Sequence, residues 1–387
     1  MKIAGIIAEY NPLHAGHVYH MDETRRRTRC DGVVCVLGGA FTQRGLPAVM
    51  DKFARVRMAL AGGADAVIEL PAVYAARPAQ IFALGGVGIL ARLGADVLSF
   101  GCETEDAGAL FRLSELISGA ELKPALTGAA PNGMSYPRAL AAAAEKALPG
   151  SAQLLAQPNT VLALEYLSEA RRRRYCPELL IVRRTAPYNA SGYDTRSASG
   201  IRNMLREGRA REAAAELPER VSTLFLREAE AGLASEHLPD ECALYALRSL
   251  SGWHSCSPDC AEGLEMRILK AARSAPGTRE LIENAKCKRY TRARIQRAVS
   301  DLTLRLPEAP REIPYIRLLG MRKDAGKLVN ELSLRAGGLL VSDPVKLAGD
   351  PVFEAECRAT DLWGLCTRSP AYRICGRELT EKFIVAD

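Results

Sequence analysis

The first hundred residues alternate between short apolar runs and longer stretches in which apolar side chains recur every three or four positions. The apolar runs lie at Ile3–Ala8, Gly32–Leu37, Ala66–Leu70 and Ala95–Phe100. Such runs, joined by helical segments, predict a parallel sheet that is covered by helices on both faces. The predicted helices lie at His17–Thr28, Asp51–Ala61 and Ala79–Arg92. The chain is therefore expected to begin with an α/β domain, which binds ligands at the carboxyl ends of its strands.

Helical periodicity dominates the rest of the chain. Helices are predicted at Tyr136–Ala147 and Asn159–Arg172, followed by a strand at Leu179–Arg184 and a helix that ends near Leu205. Segments 209–232, 240–250, 262–273 and 290–305 then have a helical pattern. The final stretch mixes strands at Ile316–Leu319 and Leu339–Val341 with helices at Lys323–Leu334 and Phe353–Leu365. The change of pattern near residue 208 predicts two domains, 1–207 and a mostly helical 208–387.

Composition narrows the class of protein. Apolar residues make up 48% of the 387 residues and charged residues 25%, which excludes disorder as the dominant state. No run of about 20 apolar residues is present, and Met1–Tyr10 lacks the features of a signal peptide, so no membrane partner is expected. The 11 cysteines are scattered without a Cys-x-x-Cys pair, which is typical of reduced thiols in a cytoplasmic protein. The sequence indicates no oligomeric state.

One short segment has weak metal-ligand character. His254, Cys256 and Cys260 lie close together in the sequence, but no second pair with ligand spacing follows them. A loop between helices explains the segment equally simply. No protein-bound metal is therefore predicted.

Positive charge is concentrated in two segments of a nearly balanced chain. The net charge is +7, yet residues 171–206 carry 9 basic and 2 acidic side chains, and residues 286–297 carry 6 basic and none acidic. Local basic segments predict contact with phosphates, although each could also be a solvated helix face.

The turn after the first predicted strand carries the strongest chemical signal, Asn11-Pro12-Leu13-His14-Ala15-Gly16-His17. A helix is predicted to begin in this turn, and backbone N–H groups at a helix start favour phosphate. Gly16 lets a ligand approach the backbone closely, while His14 and His17 can donate hydrogen bonds to charge that develops on a phosphorus under attack. We expect these two histidines to be catalytic.

This turn resembles that of the HIGH superfamily of nucleotidyltransferases, which bind ATP across it on a Rossmann-like parallel sheet. A second superfamily motif, a Ser/Thr-rich stretch ending in Ile-Arg, resembles Ser197-Ala198-Ser199-Gly200-Ile201-Arg202. The resemblance implies that Ser197, Ser199 and Arg202 contact the β- and γ-phosphates, which leave as pyrophosphate. For Arg202 alone, an exposed helix arginine is the alternative.

Further segments narrow the resemblance to the bacterial tRNA(Met) cytidine acetate ligase family. They are Gly5–Pro12, Phe41–Ala48 with Asp51-Lys52, Val67–Pro71, Phe100–Glu103, Pro158-Asn159, Glu165–Leu167, Arg183-Arg184, Lys288–Thr291 and Ala359–Asp361. The match covers nearly the whole chain.

The resemblance implies a specific reaction. Acetate and ATP give acetyl-adenylate and pyrophosphate, and the acetyl group is then transferred to N4 of the wobble cytidine of elongator tRNA(Met), giving N4-acetylcytidine. The implied ATP-binding residues are Ile7, Ala8, Glu9, Tyr10, Asn11, Pro12, Leu13, His14, Ala15, Gly16, His17, Val18, Tyr19, His20, Gly101, Asn159, Arg183 and Arg184. ATP is a substrate here, and Mg²⁺ could arrive with it, held mostly by phosphates.

Three nearby charges are candidates for contact with these substrates. Arg44 and Lys52 are expected near acetate or phosphate, with ordinary surface charges as the alternative. Glu9, at the predicted strand end, could accept hydrogen bonds from ATP or tRNA, or could be a buried structural carboxylate.

The basic segments are predicted to hold the RNA backbone. The residues assigned to this contact are Arg171, Arg172, Lys286, Lys288, Arg289, Arg292 and Arg294. Tyr290 could stack on an unpaired base, or it could be a tyrosine that packs between helices.

Two other functions compete with the acetate ligase. One is an enzyme of the same superfamily that transfers a nucleotidyl group to a small phosphorylated metabolite, which would not need the basic segments. The other is a non-catalytic RNA-binding protein, which would not need the intact turn from His14 to His17.

Overall fold

The computed structural model describes residues 1–119, 122, 136–184, 197–250 and 254–387, and every structural statement below concerns those residues. They form one 8-stranded sheet in the order β5-β4-β1-β2-β3-β6-β7, with β8 also paired to β6. The strands are β1 Ile3–Ala8, β2 Gly32–Gly38, β3 Ala66–Leu70, β4 Val97–Cys102, β5 Glu178–Arg183, β6 Ile316–Arg322, β7 Leu340–Val341 and β8 Ile384–Ala386. Neighbours among β1–β5 are parallel, as predicted, and β6 runs antiparallel to β3.

Helices cover both faces of this sheet. Those of the first predicted region, residues 1–207, are α1 Ala15–Thr28, α2 Lys52–Ala61, α3 Ala72–Ala75, α4 Ala79–Arg92, α5 Ala107–Ser118, α6 Tyr136–Ala147, α7 Ser151–Leu155, α8 Pro158–Arg172 and α9 Ala198–Arg206. Those of the second region are α10 Ala210–Ala213, α11 Glu219–Ala231, α12 Asp240–Arg248, α13 Leu264–Ser274, α14 Thr278–Ala285, α15 Arg292–Leu304, α16 Gly326–Arg335, α17 Pro351–Leu365 and α18 Arg377–Thr380. Two short 3₁₀ turns lie at Pro258–Cys260 and Pro344–Leu347.

The two sides of β2 show why its sequence is apolar throughout. Val34 and Val36 belong to the core on one face of the sheet, while Val33 and Cys35 belong to the core on the other face. Successive side chains of a strand point to opposite faces, so a strand buried on both faces has no polar positions. This is the physical basis of the correct strand predictions.

Segment 209–232, predicted as one helix, is two helices in the structure. They are separated because Pro218 lies just before the second helix, and the residue before a proline is disfavoured in a helical conformation. Helix Thr278–Ala285 and strand Ile384–Ala386 were not predicted at all. Residues 185–196, which follow the predicted strand Leu179–Arg184, lie outside the described residues.

The two predicted regions share the sheet. Strand β6, from the second region, pairs with β3 through Ala66–Met321 and Val67–Gly320. The division at residue 207 remains a prediction. The parallel strands β1, β2, β4 and β5 all end at the same edge, where the residues that follow them meet.

Candidate active site

The chain turns sharply where β1 ends. Tyr10 has a φ of 46°, which is the left-handed region, and the Asn11–Pro12 peptide bond is cis. Helix α1 then begins at Ala15, with His14 in the capping position. The turn therefore delivers the start of a helix to the ligand-binding edge of the sheet, as the sequence predicted.

Both histidines of the turn are fixed by backbone donors. The N–H of Gly16 donates to Nδ1 of His14 at 3.1 Å, and the N–H of His14 donates to Nδ1 of His17 at 3.3 Å. The two rings lie 3.7 Å apart between centroids. A neutral imidazole whose Nδ1 accepts a hydrogen bond carries its proton on Nε2. The turn thus orients two Nε2–H donors.

Burial keeps His17 and its neighbour His20 neutral. Desolvation, together with the neighbouring His14 and Arg184, holds the pKa of His17 well below its usual range. Desolvation and Arg184 lower the pKa of His20 to about 4. Nε2 of His20 lies 2.8 Å from Oγ of Ser99, so this third histidine is directed at the sheet. At neutral pH His17 and His20 are therefore uncharged imidazoles.

The second motif meets the first at Arg202. Helix α9 begins after Ser197, whose hydroxyl accepts the N–H of Gly200 at 3.1 Å. One turn later, Arg202 donates from a terminal nitrogen to the carbonyl oxygen of Asn11 at 2.8 Å. Two segments more than 180 residues apart are therefore joined at the carboxyl end of β1.

The ends of β4 and β5 form one side of the site. Glu103 accepts from Nδ2 of Asn159 at 2.7 Å and from the N–H of Thr160 at 2.9 Å, so it holds the start of helix α8 beside Gly101. Nε of Arg184 is buried and has no hydrogen-bond partner among the described residues. A buried guanidinium N–H without a partner is costly, and a phosphate oxygen would satisfy it.

The loop after β2 forms the other side. The backbone N–H of Gln43 donates to Oε1 of Glu9 at 2.5 Å. Desolvation raises the pKa of Glu9, while the Gln43 N–H and the guanidinium groups of Arg55, Arg202 and Arg44 act in the opposite direction. Glu9 therefore has a structural hydrogen bond and also borders the space where substrates would bind.

These elements enclose a cavity of about 1120 Å³. Among the described residues that line it, arginines outnumber glutamates. The arginines are Arg44, Arg183, Arg184, Arg202 and Arg206, and the glutamates are Glu9, Glu216 and Glu236. A cavity with excess positive charge and oriented N–H donors suits a polyphosphate. Its volume exceeds the roughly 300–1,000 Å³ of a cavity for one small ligand, which leaves space for a second substrate.

Most of the residues predicted to bind ATP line this cavity. They are Ile7, Ala8, Glu9, Tyr10, Asn11, His14, Ala15, Gly16, His17, Tyr19, His20, Gly101, Asn159, Arg183, Arg184, Ser199 and Arg202. Four others do not line it: Pro12, Leu13, Val18 and Ser197. Leu13 is buried in the core, Val18 packs against it, and Ser197 caps helix α9, so they support the site without facing it.

Sequence reasoning did not assign part of the lining. The unassigned residues are Ile6, Thr42, Gln43, Leu46, Pro47, Ala79, Phe82, Phe100, Leu155, Ala156, Pro158, Val161, Leu162, Tyr166, Val182, Ala198, Asn203, Arg206, Glu216, Glu236 and Ala293. Some of them lie in Phe41–Ala48 and Phe100–Glu103, two segments whose resemblance to the family could have pointed to the site. Glu216 and Glu236 come from the second region and have no local signal, whereas Ala293 lies within the basic segment that is expected to bind tRNA.

Lys52 is not a substrate cation, contrary to expectation. It is 1% exposed, and its Nζ donates to Glu69 at 2.6 Å, to Glu356 at 3.0 Å and to Glu378. Arg317 joins the same carboxylates Glu69 and Glu378. Lys52 is therefore part of a buried ion cluster, because three buried carboxylates require compensating positive charge.

That cluster is also the only group of three close His, Cys, Asp or Glu ligand atoms in the part of the chain that the structure describes, namely Glu69, Glu356 and Glu378. Lys52 already occupies the space between them. Elsewhere, His254 lies 2.7 Å from Glu265, and Cys260 is buried while Cys256 is exposed. The prediction that no metal is bound stays a prediction.

The basic segment 286–297 reaches the mouth of the cavity through Ala293. Its charged side chains range from partly buried to exposed, and several pair with acids outside the segment. Arg289 and Arg294 meet Glu262 at 3.5 and 3.2 Å, and Lys286 and Arg292 meet Glu283 at 3.5 and 2.6 Å. Exposed pairs are weak, so phosphates can compete for these cations. Lys288 is exposed.

The side chain of Tyr290 is buried against neighbouring parts of the protein. It is 7% exposed, its hydroxyl donates to the carbonyl oxygen of Glu262 at 2.6 Å, and the Arg294 guanidinium lies 5.1 Å from its ring centroid. This arrangement favours packing between helices, because both the hydroxyl and one ring face are engaged. In the first basic segment, Arg171 lies 3.6 Å from Glu115, and Arg172 lies 2.6 Å from Glu169.

Within the described ranges, none of the helices combines the length and the apolar character that crossing a membrane requires.

Comparison with known proteins gives concordant results. The sequence matches the model of the HIGH Nucleotidyl Transferase family over residues 1–377. A tRNA(Met) cytidine acetate ligase from Acetivibrio thermocellus is 32% identical over 427 residues that cover 100% of both chains. One from Clostridium kluyveri is 31% identical and covers 96% of this chain and 97% of its own. The crystal structure of Thermotoga maritima TmcAL bound with alpha-thio ATP superposes with a TM-score of 0.88, at 28% identity and 100% coverage of both chains.

Proposed function

Because this chain belongs to the tRNA(Met) cytidine acetate ligase family of HIGH nucleotidyltransferases, we propose that it is an ATP-dependent acetate ligase of the cytoplasm. It forms acetyl-adenylate from acetate and ATP. It then transfers the acetyl group to N4 of the wobble cytidine of elongator tRNA(Met), which gives N4-acetylcytidine.

The contact between Arg202 and Asn11 is the observation that carries this proposal. It brings the two phosphate motifs into one cavity, with Nε2–H donors on one side and arginines on the other. The relative from Thermotoga maritima, whose structure contains alpha-thio ATP, supports ATP as the ligand of this cavity.

Adenylation follows from these groups. An acetate oxygen attacks the α-phosphorus, the bond to the β-phosphate breaks, and pyrophosphate leaves. His14 and His17 donate from Nε2 to the phosphoryl oxygens as charge builds up, while Arg184 and Arg202 neutralise the leaving pyrophosphate. Mg²⁺ would be held by the phosphates themselves. The cluster of carboxylates from Glu69, Glu356 and Glu378 does not serve, because the ammonium group of Lys52 lies between them.

The tRNA would bind by its backbone to the basic segment at the cavity mouth. Lys286, Lys288, Arg289, Arg292 and Arg294 supply the phosphate contacts. The acceptor base must leave its stack to reach the adenylate inside the cavity, as bases do in other enzymes that modify them.

Product analysis tests this function. The protein is incubated with elongator tRNA(Met), ATP and acetate. The RNA is then digested to nucleosides, which are identified by mass spectrometry. N4-acetylcytidine should appear, acetyl-CoA should not replace ATP plus acetate, and a wobble uridine should abolish the product because it lacks the N4 amine. Transfer of a nucleotidyl group instead would indicate the metabolite-type enzyme, and binding without any product would indicate the non-catalytic RNA-binding protein.

A further inference from the structure

We propose that Glu9 is the general base of the acetyl-transfer step, and that the loop Thr42–Pro47 forms the half of the cavity that receives the acceptor cytosine. The inference rests on the proposed function, because it assigns groups to the second half of that reaction. It concerns a step in which ATP has already reacted.

The order of the strands separates two halves of the cavity. Strand β1 lies between β4 and β2. The ends of β4 and β5 carry Gly101, Arg183 and Arg184, which are expected to meet ATP, whereas the end of β2 leads into the loop Thr42–Pro47. Glu9 follows β1 directly and therefore lies on the border between the two halves.

The loop half faces the basic segment. The hydroxyl of Ser300 donates to the carbonyl oxygen of Gly45, and a Cβ atom on Gly45 would lie 2.7 Å from Cα of Arg297. Gly45 has a φ of 71°, so a glycine suits both the backbone conformation and the close approach. With Ala293 also lining the cavity, RNA held by residues 286–297 would enter from the loop side.

The carboxylate of Glu9 is held in place at this border. Its Oε1 accepts the N–H of Gln43 at 2.5 Å, which fixes the side chain to the loop. A carboxylate has about four lone-pair positions, so one backbone donor leaves capacity for a further hydrogen bond. The geometry suits a group that accepts a proton from a base lying against the loop.

Cytosine N4 needs such an acceptor. Its lone pair is conjugated with the ring, so the amine is a weak nucleophile that must lose a proton as it reacts. In the step, N4 forms a bond to the acetyl carbon, the bond from that carbon to the adenylate oxygen breaks, and AMP leaves with the oxygen. The proton of N4 passes to Glu9 and then to solvent.

The surroundings of Glu9 set the pH dependence of this step. The charged groups that act on it are Arg55, Arg202 and Arg44, and the neighbouring Tyr166 has a pKa raised by burial and stays neutral. Desolvation outweighs the arginines and raises the pKa of Glu9 above its ordinary 4.5. The transfer rate should therefore rise with pH as Glu9 ionises and then level off.

The test separates the two half-reactions. Acetate-dependent exchange of pyrophosphate into ATP reports adenylation, and a single-turnover mix of preloaded enzyme with elongator tRNA(Met) reports transfer. Glu9→Gln keeps an oxygen that can accept the Gln43 N–H but removes the base. We expect transfer to slow by about 100-fold, which is the lower range for general-base catalysis, and exchange to slow much less, because Glu9 borders the space for ATP but moves no proton in adenylation.

Two further variants make the test specific. Glu9→Asp should transfer faster than Glu9→Gln and should keep the rising limb of the pH profile, which Glu9→Gln should lose. Glu105→Gln removes the same charge from an exposed carboxylate outside the cavity lining and should change neither half-reaction.

Each contrary outcome has a separate meaning. The inference is overturned if Glu9→Gln transfers the acetyl group at the wild-type rate. It is also overturned if the transfer rate of the wild-type protein does not rise with pH. Equal losses in exchange and transfer would place Glu9 in ATP binding and overturn it as well. If the wild-type protein shows no acetate-dependent exchange, the proposed function itself fails, and that result is distinct from the others.

Discussion

Arg202 donates from Nε to Oε1 of Glu236 at 2.7 Å, so the arginine of the second phosphate motif is held by a residue from beyond the predicted domain boundary. The other carboxylate oxygen of Glu236 accepts from Arg206 at 2.5 Å. The segment is itself anchored, since the N–H of Ala234 donates to the carbonyl oxygen of Val49 at 3.0 Å. The orientation of Arg202 in the cavity thus depends on the second region of the chain.

We therefore expect Glu236→Ala to weaken ATP binding. A charge-assisted hydrogen bond contributes about 1.5–3 kcal/mol, and partial exposure of both side chains reduces this to about 1 kcal/mol, so the KM for ATP in pyrophosphate exchange should rise about fivefold. Glu212→Ala, which breaks the exposed pair with Arg209, is the matched control and should leave KM unchanged. An unaltered KM in Glu236→Ala would mean that Arg202 needs no such support.

The paired histidines should be required for adenylation. His14→Asn keeps a side chain that can cap helix α1 while removing the Nε2–H donor, and His17→Ala removes the second donor. Each should slow acetyl-adenylate formation at least about tenfold, since one transition-state hydrogen bond is commonly worth ~1.4 kcal/mol or more. Full activity in the double variant, measured with labelled acetate, would reject the site.

His20 should make stability depend on pH. Its pKa is about 4 in the folded protein, below the ordinary value of 6.5, so the unfolded chain binds more protons as pH falls from 6.5 towards 4 and stability is lost in that window. His20→Gln should therefore lose less stability than wild type between pH 7 and pH 5, by on the order of 1 kcal/mol in urea unfolding. Equal losses in the two proteins would contradict a neutral buried His20.

Alanine at Lys288, Arg289 and Arg292 should weaken tRNA binding and leave adenylation nearly intact. Removing one cation that binds a phosphate should reduce the salt slope of binding by about 1, so titrations at several salt concentrations show how many of the three cations bind phosphates. Alanine at Lys323, Lys327 and Lys346 removes three exposed lysines elsewhere and serves as the control. If both triple variants behave alike, the segment is only a solvated helix face.

Lys52→Met should destabilise the protein by about 3–5 kcal/mol in urea unfolding, because it leaves Glu69, Glu356 and Glu378 buried with only Arg317 to offset them. Adding Glu356→Gln removes one of those charges and should restore part of the stability. Recovery of adenylation with the recovery of stability would support a structural role. A stable double variant that cannot adenylate would instead return Lys52 to the substrate site.

Local patterns predicted the parallel sheet correctly, and they singled out two motifs that the structure brings to one cavity. The strand at Ile3–Ala8 and the histidine turn after it could be found because a strand buried on both faces and a helix start each have a signature within a few residues. The family resemblance, which rests on short segments along the chain, was confirmed by the family model and by relatives over their full length.

The environment of charged residues was the feature that the sequence predicted least well. Segment 286–297 contains no acidic residue, yet Asp259 and Glu262 lie against its arginines in the structure. In the sequence Lys52 resembles an ordinary helix lysine, whereas in the structure three carboxylates from distant segments surround it. Electrostatic partners are chosen by tertiary contact, and a count along the sequence cannot include them.

The amino-acid sequence by itself determined the parallel sheet, the turn with His14 and His17, and the Ser-rich motif that ends at Arg202. Only the tertiary structure decided that Glu236 holds Arg202, that Gln43 fixes Glu9, and that the basic segment opens onto the cavity. The reason is physical. Periodicity and turn chemistry act over a few neighbouring residues, whereas these contacts join segments separated by more than 30 positions and exist only once the sheet has brought the strand ends together.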